Sequence, residues 1–126
     1  MKIIETSDAP PAFSRYAQAT EAPAGARWVH VSGQVGLDRD GNLPSDFEGQ
    51  ARWAFRNLVA VVRAAGMSPE DIVKVTVFMT RQQDVPAYRT VRDEELGVVT
   101  ASTLLVIAGL ASPDWLIEIE AVAAAA

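Results

Sequence analysis

The stretch TASTLLVIAGLASPDWLIEIEAVA, Thr100 to Ala123, is the part of the chain whose reading decides the fold. Thr103 to Ile107 is a continuous apolar, β-branched run, the pattern of a strand buried on both faces. Leu110 to Asp114 carries turn chemistry, and Pro113 cannot donate to a sheet ladder. Leu116 to Val122 then alternates, with Ile117, Ile119 and Ala121 on one face and Leu116, Glu118, Glu120 and Val122 on the other. The spacing predicts two strands joined by a turn. The second has one core face and one mixed face.

That mixed face holds two carboxylates, i and i+2, roughly 7 Å apart along the strand. A solvated polar face is the plain reading of such a pair, because Glu is rarely buried without a partner. Leu116 and Val122 on the same face argue instead for a surface that meets another subunit. A carboxylate among apolar neighbours is also suited to proton transfer on a neutral substrate.

Working upstream, Val85 to Leu96 reads as a helix, opened by an Asp84 cap with Pro86 in the first turn and stopped by Gly97. Val85, Tyr88 and Val91 point to the core; Arg89, Arg92, Asp93, Glu94 and Glu95 form its polar side. Ile72 to Met79 alternates as a strand after a single turn at Ser68 to Asp71, with Val73, Val75, Val77 and Met79 as its apolar face. A longer helix precedes it. Ser45 to Glu48 matches a capping box; Phe47, Ala51, Ala54, Phe55, Leu58, Val62 and Ala65 recur at helical spacing, and Gly66 ends the run.

Asp38 to Asn42 lacks the twelve-residue acidic pattern of a calcium loop and reads as a hairpin turn. Trp28 to Ser32 is a strand with Trp28, His30 and Ser32 on one face. Gly33 after it signals a bulge or a close backbone approach. Glu21 to Gly25 reads as a turn, Phe13 to Gln18 as loop, and Lys2 to Glu5 as a short edge strand. The order predicts an α+β sandwich: a mixed β-sheet with two helices packed on one face. Trp28, Ile72, Phe78, Leu116 and Val122 make the other face apolar enough to need a partner subunit.

The chain has 126 residues, of which 49% are hydrophobic and 21% charged, so a single domain over 1–126 is expected. A net charge of −5 disfavours nucleic acid as a partner. With no cysteine and only His30, neither a thiolate nor a histidine metal site can be built, and no cofactor is expected. The N-terminus lacks an apolar signal region and no run reaches membrane-spanning length, so no membrane partner and a cytoplasmic location are expected.

Tyr16-Ala-Gln18, Ser32-Gly-Gln34, Ala64-Ala-Gly66, Asp71-Ile-Val-Lys-Val-Thr-Val-Phe78 and Glu118-Ile-Glu-Ala-Val-Ala123 occur in an order and spacing that resemble the RidA/YjgF family, also labelled L-PSP endoribonuclease or reactive-intermediate deaminase. The resemblance runs from near Ala9 to Ala123. It implies a chorismate-mutase-like sandwich that forms homotrimers with a small-molecule cleft at each subunit interface. It also implies hydrolysis of enamine or imine intermediates, such as 2-aminoacrylate, to a ketoacid and ammonia. Glu118 matches the acid that handles the attacking water. Gly33, next to Ser32, matches a backbone contact to the ligand, and Tyr16 a tyrosine lining the cleft from the neighbouring subunit.

Two positions depart from the family pattern. Its Pro-Ala-Arg-Ser motif, whose arginine clamps the substrate carboxylate, reads Thr100-Ala-Ser-Thr103 here. The clamp position is Ser102, beside Thr103, and the asparagine expected on the second helix is Arg89. A serine hydroxyl cannot reproduce a bidentate arginine–carboxylate contact. The expectation is a cofactor-free hydrolase whose substrate differs from 2-aminoacrylate. The alternatives are a trimeric small-molecule binding protein without catalysis and, third, an endoribonuclease.

Overall fold

The quoted stretch does contain two strands, but they do not pair with each other. The computed structural model describes all residues, Met1–Ala126. Its main sheet has four strands in the order β3 (Arg27–Val35), β6 (Ile117–Ala125), β4 (Ile72–Met79), β5 (Ala101–Val106). β6 runs antiparallel to both β3 and β4, while β4 and β5 are parallel. The parallel pair requires a crossover, which the helix α2 (Val85–Glu95) supplies. A small hairpin of β1 (Lys2–Ile4) with β2 (Ala19–Glu21) lies apart, so Glu21 ends a strand rather than opening a turn.

Both helices cover one face of the sheet. Phe55, Leu58 and Val62 of α1 (Phe47–Ala64) pack with Ile117, Ile119 and Ala121 of β6, Val75 and Val77 of β4, and Tyr88 and Val91 of α2. Each such fully buried apolar side chain contributes about 1.5–3 kcal/mol. The Phe55 and Tyr88 rings stack at 5.9 Å and join the two helices. The α+β architecture expected from the element order is present.

The differences have local causes. The cap of α1 is Asp46, whose carboxylate accepts from the Gly49 amide at 3.3 Å; the box based on Ser45 does not form. Gly66 is the left-handed residue after the helix, at φ +75°. A bulge between Ile72 and Lys74 turns Ile72 into the core, on the same side as Val75, Val77 and Met79. The Asp38–Asn42 turn forms, with the Asp38 carboxylate accepting from the Asp40 and Asn42 amides, but it joins β3 to a helix and is no hairpin.

The largest difference is β5. Its apolar run predicted burial on both faces, yet it is the edge strand, and Leu105 and Val106 are 44% and 47% exposed. Trp28, on β3 at the other edge, is 53% exposed. Continuous apolarity reports that a strand is covered, without saying whether its own chain does the covering.

Candidate active site

Glu118 is placed by the way β6 begins. Gln50 of α1, fully buried, donates to the carbonyls of Pro44 and Asp114 at 3.0 and 3.1 Å and accepts from the Leu116 amide at 2.9 Å. The turn before β6 is thereby tied to the helix, and the alternation that follows puts Ile117 and Ile119 in the core and Glu118 on the opposite face. Glu118 is half-buried, in register with Phe78 on β4 and Val35 on β3. Its carboxylate takes part in no hydrogen bond or ion pair within the chain. Glu120, on the same face, is exposed.

Gly33 lies directly beside Glu118. The register of β3 on β6 shifts between Val31 and Gln34, leaving Ser32 and Gly33 in a bulge. A Cβ at Gly33 would sit 2.0 Å from Glu118 Oε2 and 2.7 Å from its Cδ. Only glycine leaves room for the carboxylate in that position. Both sequence readings of Gly33, bulge and close approach, hold.

A second group of polar residues gathers where α2 meets the edge strand β5. Tyr88, Arg89 and Arg92 of α2, Ser102 and Leu104 of β5, and Phe13, Ser14 and Tyr16 of the N-terminal segment line a cavity of about 230 Å³. The segment is anchored by the Ala17 amide, which donates to the Thr100 carbonyl at 3.0 Å, and Tyr16 Oη accepts from the Phe13 amide at 3.1 Å. Arg92, expected on the polar side of α2, is buried. Its Nε donates to Asp93 Oδ1 at 3.0 Å and its Nη1 to Ser14 Oγ at 3.2 Å, while Cζ lies 5.8 Å from the Tyr88 ring centroid. Tyr88 Oη is buried without a hydrogen-bond partner. Burial pushes its phenol up to about 12, with the Arg92 charge acting the other way.

Within one chain the predicted site residues therefore fall into two groups. Ser32, Gly33, Thr103 and Glu118 belong to the sheet face away from the helices; Tyr16, Arg89 and Ser102 belong to the cavity. Ser102 is in register with Val75, whose side chain is core, so it faces the helix layer. Thr103 points the other way, and its hydroxyl accepts from Lys74 Nζ at 2.6 Å. Phe78, level with Glu118, is three residues past Val75, roughly 10 Å along the strand.

Sequence reading did not mark Arg92 and Ser14, which line the cavity, or Gln50, which ties the start of β6 to α1. A signal existed for Arg92: it stands one turn after Tyr88, and i and i+4 share a helix face. An inward Tyr88 implied an inward Arg92. Nowhere do three or more His, Asp or Glu side chains gather in a way that could hold a metal ion.

A sequence profile described as "Endoribonuclease L-PSP" matches residues 6–125. The chain belongs to this family. It is 34% identical to the 2-iminobutanoate/2-iminopropanoate deaminase of Escherichia coli, over 97% of this chain and 96% of that protein. The crystal structure of Escherichia coli TdcF with bound serine superposes with a TM-score of 0.74 at 36% identity, covering all of both chains. A Yersinia pestis protein of the Rid family, YyfB, gives a TM-score of 0.85 at 28% identity, covering 97% of this chain and 96% of that one. The RidA/YjgF resemblance drawn from short motifs is borne out across the whole chain, and with it the fold.

Proposed function

We propose that the protein hydrolyses small imine or enamine intermediates to a carbonyl compound and ammonia, without a cofactor, in a cleft shared between subunits of a homotrimer. The observation that carries this reading is the Glu118 carboxylate, free of protein partners and seated against Gly33 where no other residue type leaves room for it. The name of the Escherichia coli deaminase supports the reaction class. The serine held by TdcF supports a small-molecule ligand.

The chemistry follows from one carboxylate. Glu118 takes a proton from water as the oxygen attacks the carbon of the C=N bond, giving a carbinolamine. The same group, now a carboxylic acid, returns that proton to nitrogen. Its carboxylate then takes the hydroxyl proton and passes it to nitrogen as C=O forms and the C–N bond breaks, releasing ammonia. An enamine enters the sequence after protonation at carbon has converted it to the imine.

The trimer accounts for the separation of the two residue groups. Leu105, Val106 and Trp28 are apolar, exposed and on edge strands of the sheet. Covering them with a second copy would bring the α2–β5 cavity of one subunit toward Glu118 of the next. A binding protein without catalysis is the second reading, favoured by Ser102 at the clamp position. The ribonuclease reading has only the family description behind it, since His30 has no second histidine to share acid–base work.

The deciding measurement is ammonia release from a panel of imines generated in situ by an amino-acid oxidase. Release faster than the uncatalysed rate, abolished by Glu118→Gln, is expected. No acceleration on any imine, or an unimpaired Glu118→Gln variant, rejects the hydrolase and leaves the binding protein.

A further inference from the structure

Arg92 is buried along most of its length, and its guanidinium is only partly engaged by the chain. A guanidinium carries five N–H groups. Nε donates to Asp93 and Nη1 to Ser14, while Nη2 makes no hydrogen bond within the chain and stays accessible from the cavity. The rest of the side chain is covered, with only 7% of it exposed, so what Nη2 meets is whatever fills the cavity. One turn away on the same helix, Tyr88 Oη is fully buried beside the Arg92 and Ser102 side chains. Both line the cavity of about 230 Å³, with Ser102 opposite them.

The local charge has the same sense. Arg15, Arg89 and Arg92 stand around this cavity and its floor with Asp93 as their only acidic partner, in a chain whose net charge is −5. The Tyr88 hydroxyl can donate its proton to an acceptor in the cavity. A planar fork of guanidinium donors beside a hydroxyl fits a planar oxyanion with two acceptor oxygens. The small residue at 102 is what leaves the space into which the helix arginine can act.

We infer that Arg92, reaching from α2 rather than from β5, holds the carboxylate of the ligand, with the Tyr88 and Ser102 hydroxyls completing the contact. Arg92 is thus the specificity-determining residue of the cleft half that α2 builds, and the chain selects carboxylate-bearing ligands although position 102 carries no arginine. Exposed Arg89 stands at the mouth and does not clamp. The inference rests on the small-molecule cleft proposed above.

The test is a titration of the full-length protein with 2-oxobutanoate, its methyl ester and inorganic phosphate, followed by calorimetry and by NMR of arginine side-chain N–H groups. The acid should bind, the ester and phosphate about tenfold more weakly or worse, and the Arg92 Nε–H resonance should shift with the acid. Arg92→Gln should lose about tenfold or more in affinity, Arg92→Lys should recover part of it as a point charge without the fork, and Ser102→Arg in the Arg92→Gln background should restore binding. Equal binding of acid and ester, equal binding by Arg92→Gln, or preference for phosphate overturns the inference. If Arg92→Gln does not fold, the wild-type resonance decides: no shift on saturation overturns it. Binding is read without turnover. A protein that binds the acid through Arg92 but releases no ammonia refutes the hydrolase alone, and ammonia release untouched by Arg92→Gln refutes the arginine alone.

Discussion

Adding one methyl group at Gly33 separates catalysis from stability. In Gly33→Ala the new Cβ would lie 2.0 Å from Glu118 Oε2, 2.7 Å from Cδ and 2.9 Å from Cγ. Relief to an ordinary contact needs a shift of more than about 1 Å, and the atoms in the way are the free end of a side chain. Gly33 is not among the glycines with positive φ, so alanine meets no backbone strain. Swinging Glu118 off its rotamer costs about 0.5–1.5 kcal/mol. Removing a glycine from the unfolded chain offsets about 0.4–1 kcal/mol of that. The melting temperature should barely move, while a catalytic group displaced by about 1 Å loses on the order of 10²-fold in rate. Thermal melts and ammonia release on one preparation test this. Gly36→Ala is the contrast: its Cβ would meet the backbone of Gln50 at 2.5 Å, which cannot swing aside, so stability should fall instead. Wild-type turnover by Gly33→Ala refutes the role given to the Glu118 carboxylate, and a large loss of stability in that variant refutes the geometry.

Glu120→Gln should leave ammonia release within about twofold of wild type, since exposed Glu120 has no neighbour comparable to Gly33; loss equal to that of Glu118→Gln would mean the wrong carboxylate was assigned. Gln50→Ala leaves the Leu116 amide and two carbonyls without their partner and should cost about 1–3 kcal/mol in denaturant unfolding, with a neutral result refuting the tie between α1 and β6. For Glu95, burial alone would raise the carboxyl, but hydrogen bonds from Arg56 at 3.0 Å and Arg52 at 3.2 Å hold it below its ordinary value. Such a group adds stability above its unfolded pKa of about 4.3, and that stability is lost as pH falls through the lower folded value. Glu95→Gln should therefore melt below wild type at neutral pH, with a gap that closes in acid; a gap unchanged near pH ~3 refutes the ion network as its source. Light scattering at micromolar concentration should give the mass of three chains, and a monomer mass would remove the shared cleft.

Local pattern settled much of this protein. The alternation of Ile117, Ile119 and Ala121 fixed which way Glu118 points, because side-chain direction on a strand has period two. The stripe from Phe47 to Val62 and the stops at Gly66 and Gly97 placed both helices for the same kind of reason: spacing and left-handed backbone are properties of neighbours in sequence. Gly33 was marked by being a glycine next to a strand, although the carboxylate it makes room for comes from a strand 85 positions later.

Tertiary structure decided what neighbours in sequence cannot carry. The apolar run of β5 reads the same whether its cover is its own chain or another, and only the sheet order made it an edge. Ile72 turned inward because of a bulge that its alternating sequence does not announce. Arg92 had the composition of a solvated face, and its burial follows from where α2 packs: Tyr88 is drawn into the core against Phe55, and the residue one turn on must follow it. Charge type alone places an arginine in water; the packed helix placed this one against a cavity.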